Sequence, residues 1–157
     1  MRLRRRSTLT IFIPSNRTAA NGKPAPMDGL NEIIADNRTS LFVGSRVEKE
    51  NVEWCAWHIR AAMNKAKYRP MTLDDRQVCD VHICVHEVSR RRDVSNVYGG
   101  VFKYALDALT GRHKYGAGAI WDDNSKWLRY ISPSIVIDPA NPGIEITVIP
   151  LEVKHEA

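Results

Sequence analysis

Ser89–Gly111 reads SRRRDVSNVYGGVFKYALDALTG, and the way this stretch is divided decides the fold. Three arginines, Arg90, Arg91 and Arg92, run into Asp93, then into good helix-capping residues, then into a glycine pair and an apolar repeat. Val101, Phe102, Ala105, Leu106 and Leu109 recur at helical spacing. That spacing predicts a helix that begins near Ser95 or Asn96 and ends at Gly111. Immediately upstream, Gln77–Val88 alternates Val81, Ile83 and Val85 with Asp80, His82, Cys84 and His86, the period of a strand. Asp93 therefore falls at a strand-to-helix transition, beside backbone N–H groups suited to an anion.

Working outward, Thr8–Pro14 (TLTIFIP) is β-branched and aromatic and predicts a first strand closed by proline. Ser15–Ser45 is rich in Asn, Gly and Pro and reads as a long polar loop, with apolar patches at Ile33–Ile34 and Leu41–Val43. Arg46–Ala66 carries Val52, Cys55, Ala56, Ile59 and Met63 on one face and predicts the first helix. After Gly111 comes a glycine-containing loop, Arg112–Gly118. Two strands follow at Trp127–Asp138 and Gly143–Val153, joined by a Pro-Ala-Asn-Pro-Gly turn. The order β-α-β-α-β-β over residues 1–157 predicts a single α+β domain, with helices packed on a mixed sheet and a basic arm at residues 1–7.

A chain of 157 residues suits one domain with a substantial core. Its formal charge of +5 is concentrated in MRLRRR, Arg90–Arg92 and Asn64–Arg69, a balance that favours a polyanionic partner. Cys55, Cys79 and Cys84 form no CxxC pair, so reduced thiols in the cytoplasm are expected. No apolar run is long enough to span a bilayer, and STLTIFIP is too short for a signal peptide, so no membrane association is expected. His82, Cys84 and His86 share one strand face. Neighbours on such a face rarely converge on one ion, which favours a half-exposed face over a zinc site.

A carboxylate among arginines that attract phosphate is electrostatically poor unless a cation lies between them. A hard divalent ion with oxygen ligands resolves the conflict. Asp122-Asp123, in IWDDNS, is the available second group if its loop folds back to the helix N-terminus. The plain readings stand beside this one: Asp93 paired with a neighbouring arginine, Asp122-Asp123 in an ordinary turn, and Lys103 as a solvated helix residue.

Several pieces in order carry a resemblance: RRRD at Arg90–Asp93, Ser95-Asn96, Lys103, LDALTG at Leu106–Gly111, GAIWDD at Gly118–Asp123 and DPANPGIEI at Asp138–Ile146. IFIPSNR, Ile11–Arg17, adds a looser match at the N-terminal end. Together they resemble the RusA-type Holliday junction resolvases, whose pattern is an arginine-rich D-x-D-N at a helix start, a helix lysine, LDAL-G and a later Asp-bearing loop. The resemblance covers the C-terminal half well and the N-terminal half loosely.

The resemblance implies a homodimeric, Mg2+-dependent endonuclease, with Mn2+ as a possible substitute, that cuts branched double-stranded DNA in recombination and repair. It implies no small-molecule cofactor. By position it assigns Asp93 and Asp123 as catalytic metal ligands, Asp122 as a supporting ligand, and Lys103 as the group that offsets developing charge. DNA backbone contacts would come from Arg90, Arg91, Arg92, Asn96, Arg17 and Lys103. One departure matters: Ser95 stands where the family has its second aspartate, and serine brings no negative charge. The alternative expectation is therefore a branched-DNA-binding protein of the same fold with weakened or lost cleavage. A third is a protein-interaction domain with an acidic partner.

Overall fold

The computed structural model describes residues 6–29, 31–32 and 41–151, with residues 41–45 described by their backbone alone. Leu9–Pro14 forms strand β1, burying Leu9, Ile11 and Ile13 and turning Thr10 and Phe12 outward. The predicted loop at 15–45 carries more structure than expected. Arg17–Thr18 (β2) and Pro24–Ala25 (β3) pair as a small antiparallel hairpin, and Asn31 and Glu32 are helical. The apolar patch at Ile33–Ile34 and residues 1–5 of the basic arm lie outside the described residues.

Helix α1 spans Leu41–Ala66, so it starts five residues before the predicted Arg46. Gly44 is the weakest helix former in that extension, at about 1 kcal/mol against alanine, which the rest of the helix readily absorbs. Cys79–Glu87 forms β4, with every second side chain buried. The next helix comes in three pieces: α2 (Val94–Val97), a π-helical turn (Tyr98–Phe102) and α3 (Lys103–Leu109). The turn falls on Gly99-Gly100, where the preference for regular α-helix is weakest. Leu128–Ile137 (β5) and Gly143–Pro150 (β6) supply the remaining two strands of the sheet.

Both ends of this second helix differ from expectation. Asp93, not Ser95 or Asn96, is the N-cap, and its extended backbone (φ −65°, ψ 145°) lets its carbonyl begin the helix. At the far end Thr110 turns extended and bridges Ile120, so Gly111 is not the terminator. Gly116 is required there instead: a Cβ on it would lie 1.7 Å from the Thr110 carbonyl oxygen.

The sheet order is β1-β6-β4-β5, with β4 and β5 parallel and the other two pairings antiparallel. The α+β architecture with a mixed four-stranded sheet is thus as the sequence predicts. α1 packs on β1 and on α3. The core joins Ile11, Ile13, Ile59, Met63, Ile83, Val85, Val101, Leu109, Ile144 and Ile146, all buried. Full burial of each such side chain is worth roughly 1.5–3 kcal/mol. The opposite sheet face carries His82, Cys84 and His86 half-buried, with the His86 ring nitrogens 3.2 Å from Asp138 and Glu145.

Among the described residues no helix is long and apolar enough to cross a membrane. Arg6, read as part of the basic arm, is buried and donates to Asp75, Gln77 and the Arg69 and Pro70 carbonyls. It is a structural residue. Trp54 donates to the Pro14 carbonyl at 2.8 Å, whereas Trp57 stands in solvent.

The parallel pairing of β4 with β5 keeps the two ends of the helical crossover apart. A helix that links two parallel strands must run back along them. Its start therefore lies at the C-terminal end of β4, and its end leads to the beginning of β5.

Candidate functional site

β4 ends on Glu87, whose side chain is 3% exposed. A carboxylate there needs a partner, and the turn supplies one five residues on. Arg92 donates from Nε and Nη2 to the two Glu87 oxygens at 2.7 and 2.8 Å, a bidentate pair. Its Nη1 donates to Glu32 at 3.2 Å. Burial alone would lower the Arg92 pKa, but Glu87 and Glu32 outweigh it and hold the guanidinium above its ordinary value. Burial likewise pushes Glu32 up. Its backbone hydrogen bond and the charge of Arg92 outweigh that and keep its carboxyl below the usual range.

Asn96 joins the same network. Its Oδ1 accepts from the Asn31 backbone N–H at 2.6 Å and its Nδ2 donates to Glu32 at 3.5 Å. Gly29 passes so close that a Cβ on it would lie 2.7 Å from Asn96 Oδ1 and 2.9 Å from Arg92 Nη1. Arg92 and Asn96, expected at DNA, are thus engaged inside the protein: together they fasten the chain around Gly29 and Glu32 over the helix start. Arg17 is paired too, but remains exposed. It pairs with Asp28, which also accepts from Asn51 Nδ2 at 3.1 Å.

The remaining groups at this corner face solvent. Arg90, Arg91, Asp93 and Ser95 are exposed. The Asp93 carbonyl accepts from the Asn96 and Val97 backbone N–H groups at 3.0 and 3.2 Å. Its side chain makes no capping hydrogen bond, which leaves an exposed carboxylate in a segment whose Arg90, Arg91 and Ser95 are exposed as well.

Asp122 and Asp123 lie at the other end of the crossover. Thr110 Oγ1 donates to the Trp121 carbonyl at 3.0 Å, fixing this loop beside the end of α3. Asp122 accepts from the Asp123 backbone N–H at 2.8 Å and from Asn124 Nδ2 at 3.1 Å. Burial pushes the Asp123 carboxyl above its ordinary value, with the hydrogen bond and charge of Asp122 and the charge of Asp107 adding to it. Asp107 is itself paired with Lys103 Nζ at 3.3 Å across one helical turn.

The expectation that this loop folds back to the helix N-terminus is therefore corrected. From Asp93 to Asp107 the crossover is about 20 Å long at ~1.5 Å per residue, and Asp123 sits with Asp107. Among the described residues no three His, Cys, Asp or Glu side chains come together as a metal centre. A single chain does not fit one cation held jointly by Asp93 and Asp123. Instead it presents two incomplete carboxylate groups, one basic-flanked and one acidic.

Glu32, Glu87 and Asp107 were not singled out by the sequence. Asp107 had a signal, since it stands four residues after Lys103. The buried Glu87 and the distant Glu32 had none.

Comparison of the chain with protein-family profiles, curated proteins and solved structures finds no match.

Proposed function

We propose that the protein is a Mg2+-dependent endodeoxyribonuclease that cleaves four-way DNA junctions as a homodimer. The observation that carries the reading is Asp93, an exposed carboxylate at a helix start, not used for capping and flanked by the exposed Arg90 and Arg91. Cations there attract the phosphate backbone, and recognition through phosphates reads shape rather than sequence.

Asp93 and the Asp122–Asp123 group belong to one site only if two copies contribute, Asp93 from one and Asp122–Asp123 from the other. Two such composite sites per dimer match two symmetry-related strands of a junction. The raised Asp123 carboxyl belongs to an acidic group whose mutual repulsion a divalent cation would relieve. Lys103, already beside Asp107, belongs to that same half.

A synthetic four-way junction incubated with protein and Mg2+ or Mn2+ tests the proposal. Paired symmetric nicks, lost on chelation and in Asp93→Asn, are expected. The second reading, a junction binder without cleavage, draws on Ser95, which faces solvent where a further carboxylate would strengthen the site. A gel shift with intact strands under both metals would establish it. Absence of any shift at low salt would remove both readings and leave the acidic-partner domain.

A further inference from the structure

The end of the crossover that carries Asp122 and Asp123 is not wholly acidic. Arg112, Trp121, Arg76, Trp127 and Lys126 form one ladder there, cation alternating with indole. The Arg112 guanidinium lies 5.7 Å from the Trp121 ring centre, and that of Arg76 lies 5.5 Å from Trp121 and 4.6 Å from Trp127. Lys126 Nζ closes the series, 5.5 Å from Trp127. The fold brings these rungs together from separate parts of the chain. Arg76 stands shortly before β4 and Trp127 directly before β5, and the Trp127 carbonyl accepts from the Cys79 N–H at 2.9 Å. Trp121 packs on the core, and its carbonyl is held by Thr110. Both indoles are therefore fixed in place.

Other cations of this protein take carboxylates. Arg129 pairs with Asp80 at 2.7 Å, Lys103 with Asp107 at 3.3 Å and Arg69 with Asp75 at 3.5 Å. The ladder cations do not, although Asp74, Asp122 and Asp123 stand close to them in sequence. Among the described residues, the Arg76, Arg112 and Lys126 side chains join no ion pair, and Arg112 and Lys126 donate to side-chain oxygens only from the backbone. An indole engages the flat face of a guanidinium. The N–H groups around its edge stay open to an anion, and their fork matches the oxygens of a phosphate.

We propose that the ladder is a phosphate-binding track, on which Arg76, Arg112 and Lys126 hold phosphates along one nucleic-acid strand. Cations already rest against both indoles, so the track meets the backbone rather than the bases and takes a strand of any sequence. Each indole separates two like charges, which sets several phosphate positions in a row. Arg112 and Lys126 are exposed and Arg76 half-buried, so the row is open to a polymer. Trp121 is joined directly to Asp122, and a strand on the track passes beside Asp122 and Asp123. The track lies at the opposite end of the crossover from Arg90 and Arg91 and is a separate backbone contact.

The proposal rests on the nuclease reading only for what the track accomplishes, which is to position a strand at the Asp122–Asp123 group. Fluorescence anisotropy of a labelled single-stranded oligothymidylate, with the full-length chain in EDTA, tests the track without cleavage. Arg76→Gln, Arg112→Gln and Lys126→Gln are each expected to lower the salt slope by about 0.7 and to weaken binding ~5-fold at 0.1 M salt. The triple variant is expected to bind at least ~100-fold more weakly, with unchanged circular dichroism. Lys23→Gln, on the β2–β3 hairpin, is expected to change affinity less than ~2-fold. A wild type that does not bind the oligonucleotide, a triple variant that binds as well as the wild type, or an equal loss in Lys23→Gln would overturn the track. Pyrophosphate should compete no better than chloride of equal ionic strength. Saturable pyrophosphate binding as tight as that of the oligonucleotide would assign the ladder to a small anion and overturn the strand.

A second measurement does not depend on losing affinity. Phosphates that engage the ladder cations alter the surroundings of Trp121 and Trp127, so tryptophan emission should change as the oligonucleotide binds. The change should persist in Trp57→Phe, on the exposed part of α1. It should disappear in Trp121→Phe/Trp127→Phe, which keeps both aromatic faces. A change lost in Trp57→Phe instead would place the strand on α1 and overturn the track. Strand binding as expected in a protein that never cuts a junction keeps the track and removes the nuclease. Junction cleavage undiminished in the triple variant keeps the nuclease and overturns the track.

Discussion

Arg92 grips Glu87 through two parallel hydrogen bonds of 2.7 and 2.8 Å, across the turn that carries the chain from the central strand into the helical crossover. Glu87 is buried, so removing only the arginine strands a charge in the interior. Arg92→Ala should cost on the order of 3 kcal/mol and lower Tm by about 10 °C. The double variant Arg92→Met/Glu87→Leu should regain most of that loss. Thermal unfolding of the three proteins decides it, and an unchanged Tm in Arg92→Ala would show that the pair has no structural weight.

Arg90 and Arg91 behave differently because they face solvent. Arg90→Ala and Arg91→Ala should leave Tm within about 1 °C, since surface substitutions of this kind shift stability little. Each should instead reduce the salt dependence of junction binding by about one unit of slope, the loss of one phosphate contact. Binding isotherms over a range of salt concentrations, with matched sequences, separate this from a sequence-specific contact.

The strands and the outline of both helices were legible because each buries one face, which fixes a period of two or about 3.6 residues. Val81, Ile83 and Val85 announce β4, and Val101, Ala105 and Leu109 announce the crossover. Helix ends were less legible. Asp93 is the N-cap although its side chain does no capping, and nothing local reveals that Thr110 leaves the helix to bridge Ile120. The site was legible in its residue types but not in its arrangement. RRRD reads as three equivalent cations, yet Arg92 alone points inward, because a buried Glu87 lies within its reach. Asp123 reads as a partner for Asp93, yet a crossover between parallel strands must separate them.

Glu32 gives a pH signature whose sign follows from its surroundings. Its folded carboxyl titrates below its ordinary value of 4.5. It binds protons less readily than in the unfolded chain, so it contributes stability above about pH 4.5 that is lost as pH falls through the folded value. Wild-type Tm should therefore fall more steeply than that of Glu32→Gln as pH is lowered through this range. Parallel curves would show that the contact with Arg92 adds nothing.

Asp123 has the opposite sign. Its carboxyl is raised, so its ionised form is disfavoured in the folded state, and it detracts from stability once the pH exceeds its ordinary, unfolded value. Asp123→Asn should raise Tm near neutral pH by on the order of 1 °C, a small effect because the group is exposed. Added Mg2+ should stabilise the wild type and have less effect on the variant. Equal responses to Mg2+ would remove Asp123 from the cation-binding half.

The division of carboxylates between the two ends of the crossover predicts complementation. In a homodimer built from two composite sites, each site takes Asp93 from one chain and Asp123 from the other. Asp93→Asn and Asp123→Asn are each inactive alone, because both sites lack a ligand. Mixed and allowed to exchange, they form heterodimers in which one site carries both defects and the other carries neither. Junction cleavage should then return, limited to a nick in one strand rather than the symmetric pair. At full exchange half of the dimers are heterodimers, so nicking should approach about half of the single-site wild-type rate by random assortment. Recovery should track subunit exchange. If the mixture stays as inactive as its components while light scattering confirms exchange, each chain must build its site alone, and the two carboxylates do not act together.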